Sequence, residues 1–384
     1  MRVLNVNMSL DPVSGGGTAE RTFQISRFLA KAGLQCDVLT MSLNLSDERI
    51  EQLKSIKLIA LECLVERYYI PKLSQQTIKD AVANADIIHL MNHWTILNAL
   101  VYRSVRKQNK PYVVCPAGAL PLFGRSQKFK YLYNRFIGNH IISDANGHIA
   151  IGVNEISHFE KYGVEPEKVS LIPNGIDPED FKTSDVDHFR RKFGLNDSPF
   201  ILFIGRLNPI KGPDLLLHAF EKTSKVFNDC HLVFAGPDGG MLSELKEKSK
   251  KTKIKNRVHF TGYLGGEEKS SAYGAASLLA IPSRQEAMSI VVLEAGIMGA
   301  PVLLTDQCGF DEVEQIGGGK VVTATVEGLQ HGLVKILKNP DKLKTMGSNL
   351  KKHVMDHYTW EKIINKYIDL YNQILSKKVL SNGK

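Results

Sequence analysis

Cysteine is scarce in this sequence, and its arrangement excludes two classes of small stabilised domain. The five cysteines are odd in number, scattered along the chain and never paired as Cys-x-x-Cys. This pattern argues against a disulfide framework and a zinc knuckle, and it predicts reduced thiols in a cytosolic protein. The positions are Cys36, Cys63, Cys115, Cys230 and Cys308.

Long apolar runs are also missing. No run approaches the roughly 18 to 20 apolar residues that a bilayer-spanning helix requires. Residues 1–6 lack the basic-then-apolar layout of a secretory signal and are predicted to form a first strand. The composition, 43% hydrophobic and 23% charged, is ordinary for a soluble globular protein, and 384 residues suffice for two domains.

Acidic residues are absent between Asp86 and Asp144. Eight cations lie in this interval, whereas the whole chain has a formal net charge of +9, so the remainder carries only +1. An anionic membrane surface or a nucleic acid could each bind such a concentrated basic stretch. The cations are Arg103, Arg106, Lys107, Lys110, Arg125, Lys128, Lys130 and Arg135.

Apolar strand-like runs alternate with helical patterns along the chain. Continuous apolar strands separated by helices predict an α/β fold, with parallel sheets covered on both faces and ligands at the carboxyl ends of strands. The predicted strands of the first half are 3–7, 36–40, 57–60, 87–90, 111–115, 147–151 and 169–172. Those of the second half are 200–205, 231–235, 257–260, 277–281, 300–304 and 320–323.

Residues 171–177 interrupt this alternation with Pro173 and an Asn174-Gly175 pair, and an acidic, strand-poor stretch follows to about residue 199. Such a change indicates a domain boundary. We predict an N-terminal domain of residues 1–175 and a C-terminal domain of residues 176–359. Residues 360–384 are predicted to form a helix to about residue 375, packed back on the N-terminal domain, and a frayed tail from Lys377.

Two carboxylates flank a predicted helix start in the second half. Glu286 and Glu294 have seven residues between them, and Ser289 is a candidate N-cap whose hydroxyl would accept from an amide of the first turn. The amides of a helix start suit a phosphate, and carboxylates suit hydroxyls. A sugar nucleotide carries both groups. The alternative is two surface glutamates beside an ordinary buried helix.

A second candidate segment, residues 205–213, follows a predicted strand and precedes a helix. Arg206 and Lys211 place two cations in this loop, where α/β sheets bind anions. The arginine fork and the lysine point charge would neutralise charge on a departing diphosphate. The alternative is a solvated basic loop.

Together these segments resemble family 4 of the retaining GT-B glycosyltransferases. The likeness spans nearly the whole second half and is weaker in the first, where acceptor recognition varies. It is carried by Gly205-Arg206-Leu207 with Lys211-Gly212, by Ile172-Pro173-Asn174-Gly175-Ile176-Asp177, by the Glu286 and Glu294 spacing, and by Tyr358-Thr359-Trp360-Glu361.

The resemblance implies a GT-B fold, in which two Rossmann-like, doubly wound domains face each other across a cleft. It implies transfer of a hexosyl group from a nucleotide sugar, with UDP or GDP as the carrier, to an acceptor hydroxyl. Retention would follow front-face displacement, in which the leaving phosphate assists the incoming hydroxyl. No cofactor and no divalent metal would be needed. We expect a role in bacterial polysaccharide, lipopolysaccharide or glycolipid assembly.

The resemblance also implies roles for individual residues. Arg206 and Lys211 would bind the diphosphate and, with Glu286 on the sugar hydroxyls, form the catalytic set. Glu294 would accept from the ribose hydroxyls. The implied donor-binding positions are Gly15, Gly16 and Gly17, which would approach the diphosphate, Gly205, the base-bordering Gly262, Tyr263 and Leu264, and the backbone amides of Met288, Ser289 and Ile290.

The sequence departs from the family pattern at two places. Glu286-Ala287-Met288-Ser289 stands where the family often has Glu-Gly-Phe-Gly, so the sugar pocket is expected to differ in shape. No histidine follows the strand 111–115, where many members have one, which puts a catalytic imidazole there in doubt.

Three further residues near predicted strand ends have two interpretations each. His93 could contact acceptor or donor, although a structural role is the interpretation we favour. His89 and His93 are four apart, but no third ligand is near in the sequence, so we predict no metal. Asp11 could act as a base in an inverting reaction, although a capping or turn role is favoured.

The stretch 125–137 mixes cations with aromatic and aliphatic residues. As a helix it could rest on anionic headgroups at the inner face of the cytoplasmic membrane and meet a lipid-linked acceptor. Alternatively, Phe129, Leu132, Tyr133 and Phe136 form the helix's core face and the cations are solvated. Nucleic-acid binding is not expected, because the segment contains no recognisable binding module.

Two other functions compete with glycosyl transfer. A dinucleotide-dependent oxidoreductase is disfavoured, because Gly15-Gly16-Gly17 does not give G-x-G-x-x-G and the predicted strand 36–40 does not end in an acidic residue. A catalytically inactive nucleotide-sugar-binding or scaffold protein is disfavoured by the joint presence of Arg206, Lys211, Glu286 and Glu294.

Overall fold

The computed structural model of the protein describes residues 1–72, 74–122, 126–182 and 184–382, and side chains to residue 379. The chain forms two units. One comprises Met1–Asn174 and Trp360–Lys384, and the other comprises Gly175–Thr359. One break therefore falls between Asn174 and Gly175, within the proline- and glycine-containing segment, and the other lies just before the last helix.

A seven-stranded parallel sheet organises the first unit, in the order β3-β2-β1-β6-β7-β8-β9. A small antiparallel pair, β4 with β5, was not predicted. The strands are β1 (Arg2–Val6), β2 (Gln35–Met41), β3 (Lys57–Leu61), β4 (Cys63–Val65), β5 (Ile70–Pro71), β6 (Ile87–Met91), β7 (Tyr112–Cys115), β8 (Gly147–Ala150) and β9 (Val169–Leu171).

Helices connect these strands, and local sequence fixes their ends. In the fourth helix the Thr95 hydroxyl accepts from the Asn98 amide at 3.0 Å, which satisfies an amide that has no intrahelical partner. The helices are α1 (Gly16–Lys31), α2 (Asp47–Gln52), α3 (Gln75–Asn84), α4 (Ile96–Lys107), α5 (Gln127–Tyr133), a π-helical turn (Asn134–Gly138), α6 (Asn139–Ser143) and α7 (Ile156–Glu160). Short 3-10 turns occupy Glu66–Tyr68, Val153–Glu155 and Pro166–Lys168.

The second unit contains a six-stranded parallel sheet in the order β12-β11-β10-β13-β14-β15. Its strands are β10 (Phe200–Ile204), β11 (His231–Ala235), β12 (Val258–Gly262), β13 (Leu278–Ile281), β14 (Val302–Thr305) and β15 (Gly319–Val322). Its helices are α8 (Val186–Lys192), α9 (Pro213–Thr223), α10 (Leu242–Lys250), α11 (Gly266–Ala275), α12 (Ile290–Met298), α13 (Glu312–Gln315), α14 (Val326–Leu337) and α15 (Pro340–His357). The 3-10 turns are Pro178–Phe181, Pro209–Lys211 and Lys255–Arg257.

The last helix, α16 (Trp360–Asn382), belongs to the first unit. Arg21, fully buried in α1, donates to the Ile172 carbonyl at 2.8 Å, to the Asn174 side chain and to the Tyr367 hydroxyl. This guanidinium therefore joins α1, the end of the first segment and α16.

The helix α16 extends further than the sequence pattern indicated. It continues through residues 377–382 to Asn382, whereas the sequence pattern placed its end at about residue 375. No glycine or proline interrupts those residues. Gly383 and Lys384 lie outside the described residues.

The strand order reverses beside the first strand of each sheet. β1 pairs with β2 on one side and β6 on the other, and β10 pairs with β11 and β13. In open parallel sheets ligands bind outside the carboxyl ends of strands at such a reversal. The prediction of two doubly wound α/β sheets is confirmed, and the loops after β1, β6, β10 and β13 lie where ligands are expected to bind.

Candidate functional site

Lys211 and Glu286, which are 75 positions apart, meet at the strand reversal of the second unit. The Lys211 ammonium lies 3.0 Å from the Glu286 carboxylate, and the side chains are 35% and 9% exposed. Lys211 follows β10 and Glu286 follows β13, so the pairing of those two strands brings them together. Ser283 also donates its hydroxyl to the same carboxylate oxygen. A cation and an oriented carboxylate thus share one crevice.

The loop that carries Lys211 is built tightly. The Asn208 side chain accepts from the Lys211 amide at 3.0 Å and starts a short 3-10 turn. Gly212 then adopts a φ of 66°, and a Cβ added there would lie 2.1 Å from the Pro282 carbonyl oxygen. Only glycine permits this close approach without strain. The loop after β10 is therefore fixed against the start of the loop after β13.

The loop that carries Glu286 is held from the other side by the residues after β14. The Glu286 amide donates to the Gln307 carbonyl at 2.8 Å, and the Ser289 amide donates to the Cys308 carbonyl at 3.1 Å. A Cβ at Gly309 would lie 2.0 Å from the Ala287 carbonyl oxygen. Sequence reasoning missed this supporting segment, because nothing in its composition points to the glutamate loop.

Helix α12 begins beside this loop, and Ser289 occupies its N-cap position. The predicted capping hydrogen bond is wrong: the Ser289 hydroxyl is fully buried and has no hydrogen-bond partner, and it accepts from no amide of the first turn. Its amide is also engaged by Cys308, so it is not available in this conformation as the resemblance implied. Met288 is buried, and the amide of Ile290, the first helical residue, has no acceptor within its own helix.

Glu294 lies within α12 with both carboxylate oxygens in contact with α11. Tyr273 donates its hydroxyl to one oxygen at 2.6 Å, and the Lys269 ammonium lies 3.0 Å from the other. Burial and the Glu294 charge raise the pKa of Tyr273 well above its usual value, so the tyrosine remains a donor. Sequence reasoning missed both partners, although their spacing of four places them on one face of a helix.

Arg206 is exposed on the loop after β10, beside the turn after β11. Leu207 accepts from the Gly239 amide at 3.0 Å and donates to the Pro237 carbonyl at 3.0 Å. A Cβ at Gly239 would lie 2.8 Å from the Arg206 Cγ atom. Gly205 directly follows β10, and its amide donates to the Ala235 carbonyl at the end of β11. The structure thus places Arg206 on the same loop as Lys211.

The predicted base-bordering loop follows the edge strand β12. Gly262 accepts from the Gly236 amide at 2.7 Å, which ties this loop to the one after β11. Tyr263 is 48% exposed, whereas Leu264 is buried. An exposed ring and a buried aliphatic side chain are compatible with a stacking surface for a base, and this assignment stays a prediction.

In the first unit the three consecutive glycines lie where the loop after β1 meets α1: Gly15 ends the loop, and Gly16 and Gly17 begin the helix. Gly15 is packed, since a Cβ there would lie 2.6 Å from the Ala19 Cβ, whereas Gly16 and Gly17 have open space around them. Asp11 accepts from the Val13 and Ser14 amides at 3.1 and 2.9 Å and from the Ser14 hydroxyl at 2.6 Å. Burial alone would raise the pKa of Asp11, but these hydrogen bonds outweigh it and lower the pKa. Asp11 therefore shapes the turn.

Both histidines near the end of β6 are buried: His89 lies within that strand, and His93 follows it. His93 shares a hydrogen bond of 2.9 Å between its Nε2 atom and the Asn134 Oδ1 atom, and its ring contacts Trp94, Tyr133 and Tyr162. Burial lowers the pKa of His93 to about 4. His89 Nδ1 lies 2.8 Å from the Tyr371 hydroxyl. Within the described part of the chain no three His, Cys, Asp or Glu side chains are placed to hold a metal ion.

The helical segment 127–143 exposes a row of apolar side chains, which we call the aromatic face: Phe129, Leu132 and Phe136, which are 72%, 50% and 72% exposed. The interpretation of these three residues as a core face is therefore wrong. Tyr133 and Ile137, which are four positions apart on a neighbouring stripe of the helix, instead pack against the hydrophobic core.

Cations accompany the aromatic face. Lys128 and Arg135 are exposed on the same helical segment, and the Lys130 ammonium lies 5.5 Å from the centre of the Trp94 ring. Arg125, which belongs to the predicted basic stretch from Arg103 to Arg135, lies outside the described residues. Among the residues that the structure describes, no helix is both long enough and apolar enough to cross a membrane.

Comparisons with known proteins identify relatives of both units. The family profile described as Glycosyltransferase Family 4 matches residues 15–180, and the profile described as Glycosyl transferases group 1 matches residues 185–353. An uncharacterised glycosyltransferase of Methanocaldococcus jannaschii is 30% identical over 217 residues, which cover 55% of each chain. A D-inositol 3-phosphate glycosyltransferase of Gordonia bronchialis is 26% identical over 263 residues, which cover 65% of this chain and 57% of that protein.

The chain thus spans a little over half the length of these relatives. Among solved structures, Anabaena HepE in complex with UDP and glucose has a TM-score of 0.77 at 19% identity, covering 97% of this chain and all of that one. This likeness shows the fold, which is the GT-B arrangement of two Rossmann-like domains. Since the two profiles together match most of the sequence, the chain belongs to the group 1, family 4 glycosyltransferases.

Proposed function

We propose that this protein transfers a hexosyl group from a UDP- or GDP-sugar to an acceptor hydroxyl, with retention of configuration and without a divalent metal. The observation that carries the proposal is the Lys211–Glu286 pair at the strand reversal of the second unit. A diphosphate requires a cation, and a sugar requires oriented acceptors for its hydroxyls. Both groups stand here within hydrogen-bonding reach of each other.

The chemistry divides among the residues of this crevice. As the bond between the anomeric carbon and the diphosphate breaks, negative charge grows on the leaving oxygens. Lys211 and Arg206 would neutralise it, and the amides at the start of α12 would add a favourable dipole. Glu286, oriented by Ser283, would accept from the sugar hydroxyls. Glu294, oriented by Tyr273, would accept from the ribose.

Known relatives supply independent support for the donor class. The HepE structure contains UDP and glucose, and the Gordonia relative is a D-inositol 3-phosphate glycosyltransferase. The present chain departs from the frequent family pattern, because Ala287 and Ser289 stand in place of glycines and Met288 in place of phenylalanine. Donor selection among UDP- and GDP-sugars is therefore the first property to measure.

The decisive experiment is a screen of hydrolysis and transfer with UDP-, GDP- and ADP-sugars, with and without EDTA. Transfer from one of the first two donors, unaffected by EDTA, is expected. Glu286→Ala should abolish transfer and largely spare nucleotide binding, whereas Lys211→Ala should lower kcat more than it changes KM for the donor. Glu327→Ala is the matched control, because that carboxylate pairs with Lys222 in the same unit at 2.9 Å. In a thermal-shift comparison of UDP, GDP and NAD, a rise in the melting temperature of the protein with NAD alone would instead favour the oxidoreductase interpretation.

We further propose that the acceptor is lipid-linked and that the protein contacts the inner face of the cytoplasmic membrane, in bacterial polysaccharide, lipopolysaccharide or glycolipid assembly. The aromatic face supports this, because an exposed row of large apolar side chains with adjacent cations is the composition of an interfacial helix. The acid-free sequence around it complements anionic headgroups.

Co-sedimentation with vesicles of phosphatidylcholine, with and without phosphatidylglycerol, tests the membrane contact. We expect binding that requires the anionic lipid and weakens at high salt. Phe136→Ser should reduce binding by tenfold or more, since burying a Phe side chain is worth about 1.5 to 3 kcal/mol. Tyr68→Ser, which alters another exposed aromatic residue of the same unit, is the control. Binding that is equal for both variants would refute this interface.

A further inference from the structure

Arg284 joins the two loops that carry Lys211 and Glu286. Its guanidinium donates to both carboxylate oxygens of Asp214, from NH1 at 2.9 Å and from NH2 at 2.6 Å. NH1 also donates to the Pro209 carbonyl at 2.6 Å. In addition, the Arg284 backbone amide donates to the Ile210 carbonyl at 2.7 Å. Four hydrogen bonds thus run from one residue of the glutamate loop to the lysine loop and the helix after it.

The positions of these contacts along the chain are informative. Pro209 and Ile210 immediately precede Lys211, and Asp214 lies in the first turn of α9 just after it. Arg284 is two residues before Glu286. The Arg284 guanidinium therefore holds the lysine loop on both sides of Lys211, close to the Glu286 carboxylate that Lys211 contacts. A planar guanidinium gives such a two-point contact a fixed geometry, which a lysine would not.

Electrostatics favour a persistent pair. Burial alone would raise the pKa of Asp214, but the hydrogen bonds and charge of Arg284 outweigh it and lower the pKa. The same hydrogen bonds raise the pKa of Arg284. Both groups are therefore charged near neutral pH, and the pair is formed throughout that range.

We infer that Arg284 and Asp214 form a positioning clamp that sets the distance between the Lys211 ammonium and the Glu286 carboxylate during transfer. The inference rests on the proposed function of that pair. Neither clamp residue is assigned a contact with the donor. Partly exposed ion pairs add little to stability, whereas small displacements of catalytic groups can reduce the rate as much as a hundredfold. The clamp should therefore act on turnover more than on folding.

The test compares Arg284→Met, Arg284→Lys and Asp214→Asn with the wild-type protein, using the donor that the screen identifies. We expect Arg284→Met to lower kcat by tenfold or more while KM for the donor changes by less than about threefold. Arg284→Lys should be intermediate, because one ammonium cannot serve the Pro209 carbonyl and both carboxylate oxygens with the same geometry. The double variant Arg284→Met/Asp214→Asn should be no slower than Arg284→Met alone, since both changes open one clamp.

Lys222→Met and Glu327→Gln form the matched control, because that pair also joins two elements of the second unit but lies on helices α9 and α14. These variants should retain wild-type kcat. If Arg284→Met has a lowered melting temperature but wild-type kcat, the Arg284–Asp214 pair is merely structural and the clamp is overturned. A change in Arg284→Met that is confined to KM would also overturn the clamp. A wild-type protein that transfers no sugar would overturn the proposed function and the clamp with it, so the two failures are distinguishable.

Discussion

Replacing His89 with glutamine is expected to reduce the loss of stability that the first unit suffers in mild acid. His89 lies in β6 with its ring fully buried, where Nδ1 meets the Tyr371 hydroxyl and Nε2 has no hydrogen-bond partner. Burial, and secondarily the positive charge of Arg21, lower the pKa of His89 from 6.5 to about 3. The folded protein therefore keeps this imidazole neutral at pH values where an unfolded chain would protonate it.

The sign and size of the effect follow from proton linkage. As the pH falls below 6.5 the unfolded chain binds a proton at His89, and the folded chain does not bind it until the pH approaches 3. Folding therefore becomes less favourable across this window as the pH decreases. Between pH 7 and pH 5, a group with these two pKa values lowers the free energy of unfolding by about 2 kcal/mol.

Tryptophan fluorescence in urea is the appropriate assay. The chain contains two tryptophans, Trp94 and Trp360, and both belong to the first unit, which also holds His89. The free energy of unfolding would be measured at pH 7 and pH 5 for wild type, His89→Gln and the control His140→Gln, whose side chain is exposed. The acid-induced loss should be about 2 kcal/mol smaller in His89→Gln and unchanged in His140→Gln. Equal losses in all three proteins would refute a buried, neutral His89.

Two further substitutions probe the second unit. Gly212→Ala should destabilise this unit by about 1 to 3 kcal/mol more than the control Gly266→Ala. Both glycines have a positive φ, but only at Gly212 would an added Cβ meet a carbonyl oxygen, at 2.1 Å. Urea denaturation followed by circular dichroism measures both effects, and equal destabilisation by the two substitutions would contradict this reasoning. Tyr273→Phe removes the 2.6 Å donor to Glu294 and should weaken UDP or GDP binding three- to tenfold by calorimetry, whereas Tyr102→Phe, which removes a similar hydrogen bond to Asp144, should leave the affinity unchanged.

The fold was largely predictable because its signals are local. Strands buried on both faces are continuous apolar runs, and every long parallel strand was found within about two residues of its observed ends. The pair β4 and β5 was missed because it is short, and β5 has only two residues, one of them proline. The end of α16 was placed too early because its apolar stripe weakens before its helical backbone ends.

The site was predictable only in part, because its support depends on contacts across the sheet. Glu286, Lys211 and Glu294 were predicted as candidate site residues from motif spacing, which needs only short stretches of sequence. Tyr273 and Lys269, the partners of Glu294, were not predicted, since they stand on a different helix and only the folding of the chain brings them near. Asp214 and Arg284 illustrate this limit, being 70 positions apart.

The aromatic face shows how one sequence pattern can describe two opposite surfaces. Apolar residues at 129, 132, 133 and 136 satisfy the helical spacing of a buried face. The neighbouring positions 133, 137 and 141 satisfy it as well, and the structure turns this second row inward. Periodicity gives the direction of an apolar row only when a single row exists. Here both rows are apolar. The inward row packs on the core, and the outward row is exposed and could contact a membrane surface. Substitutions in the outward row are therefore expected to alter membrane binding rather than folding.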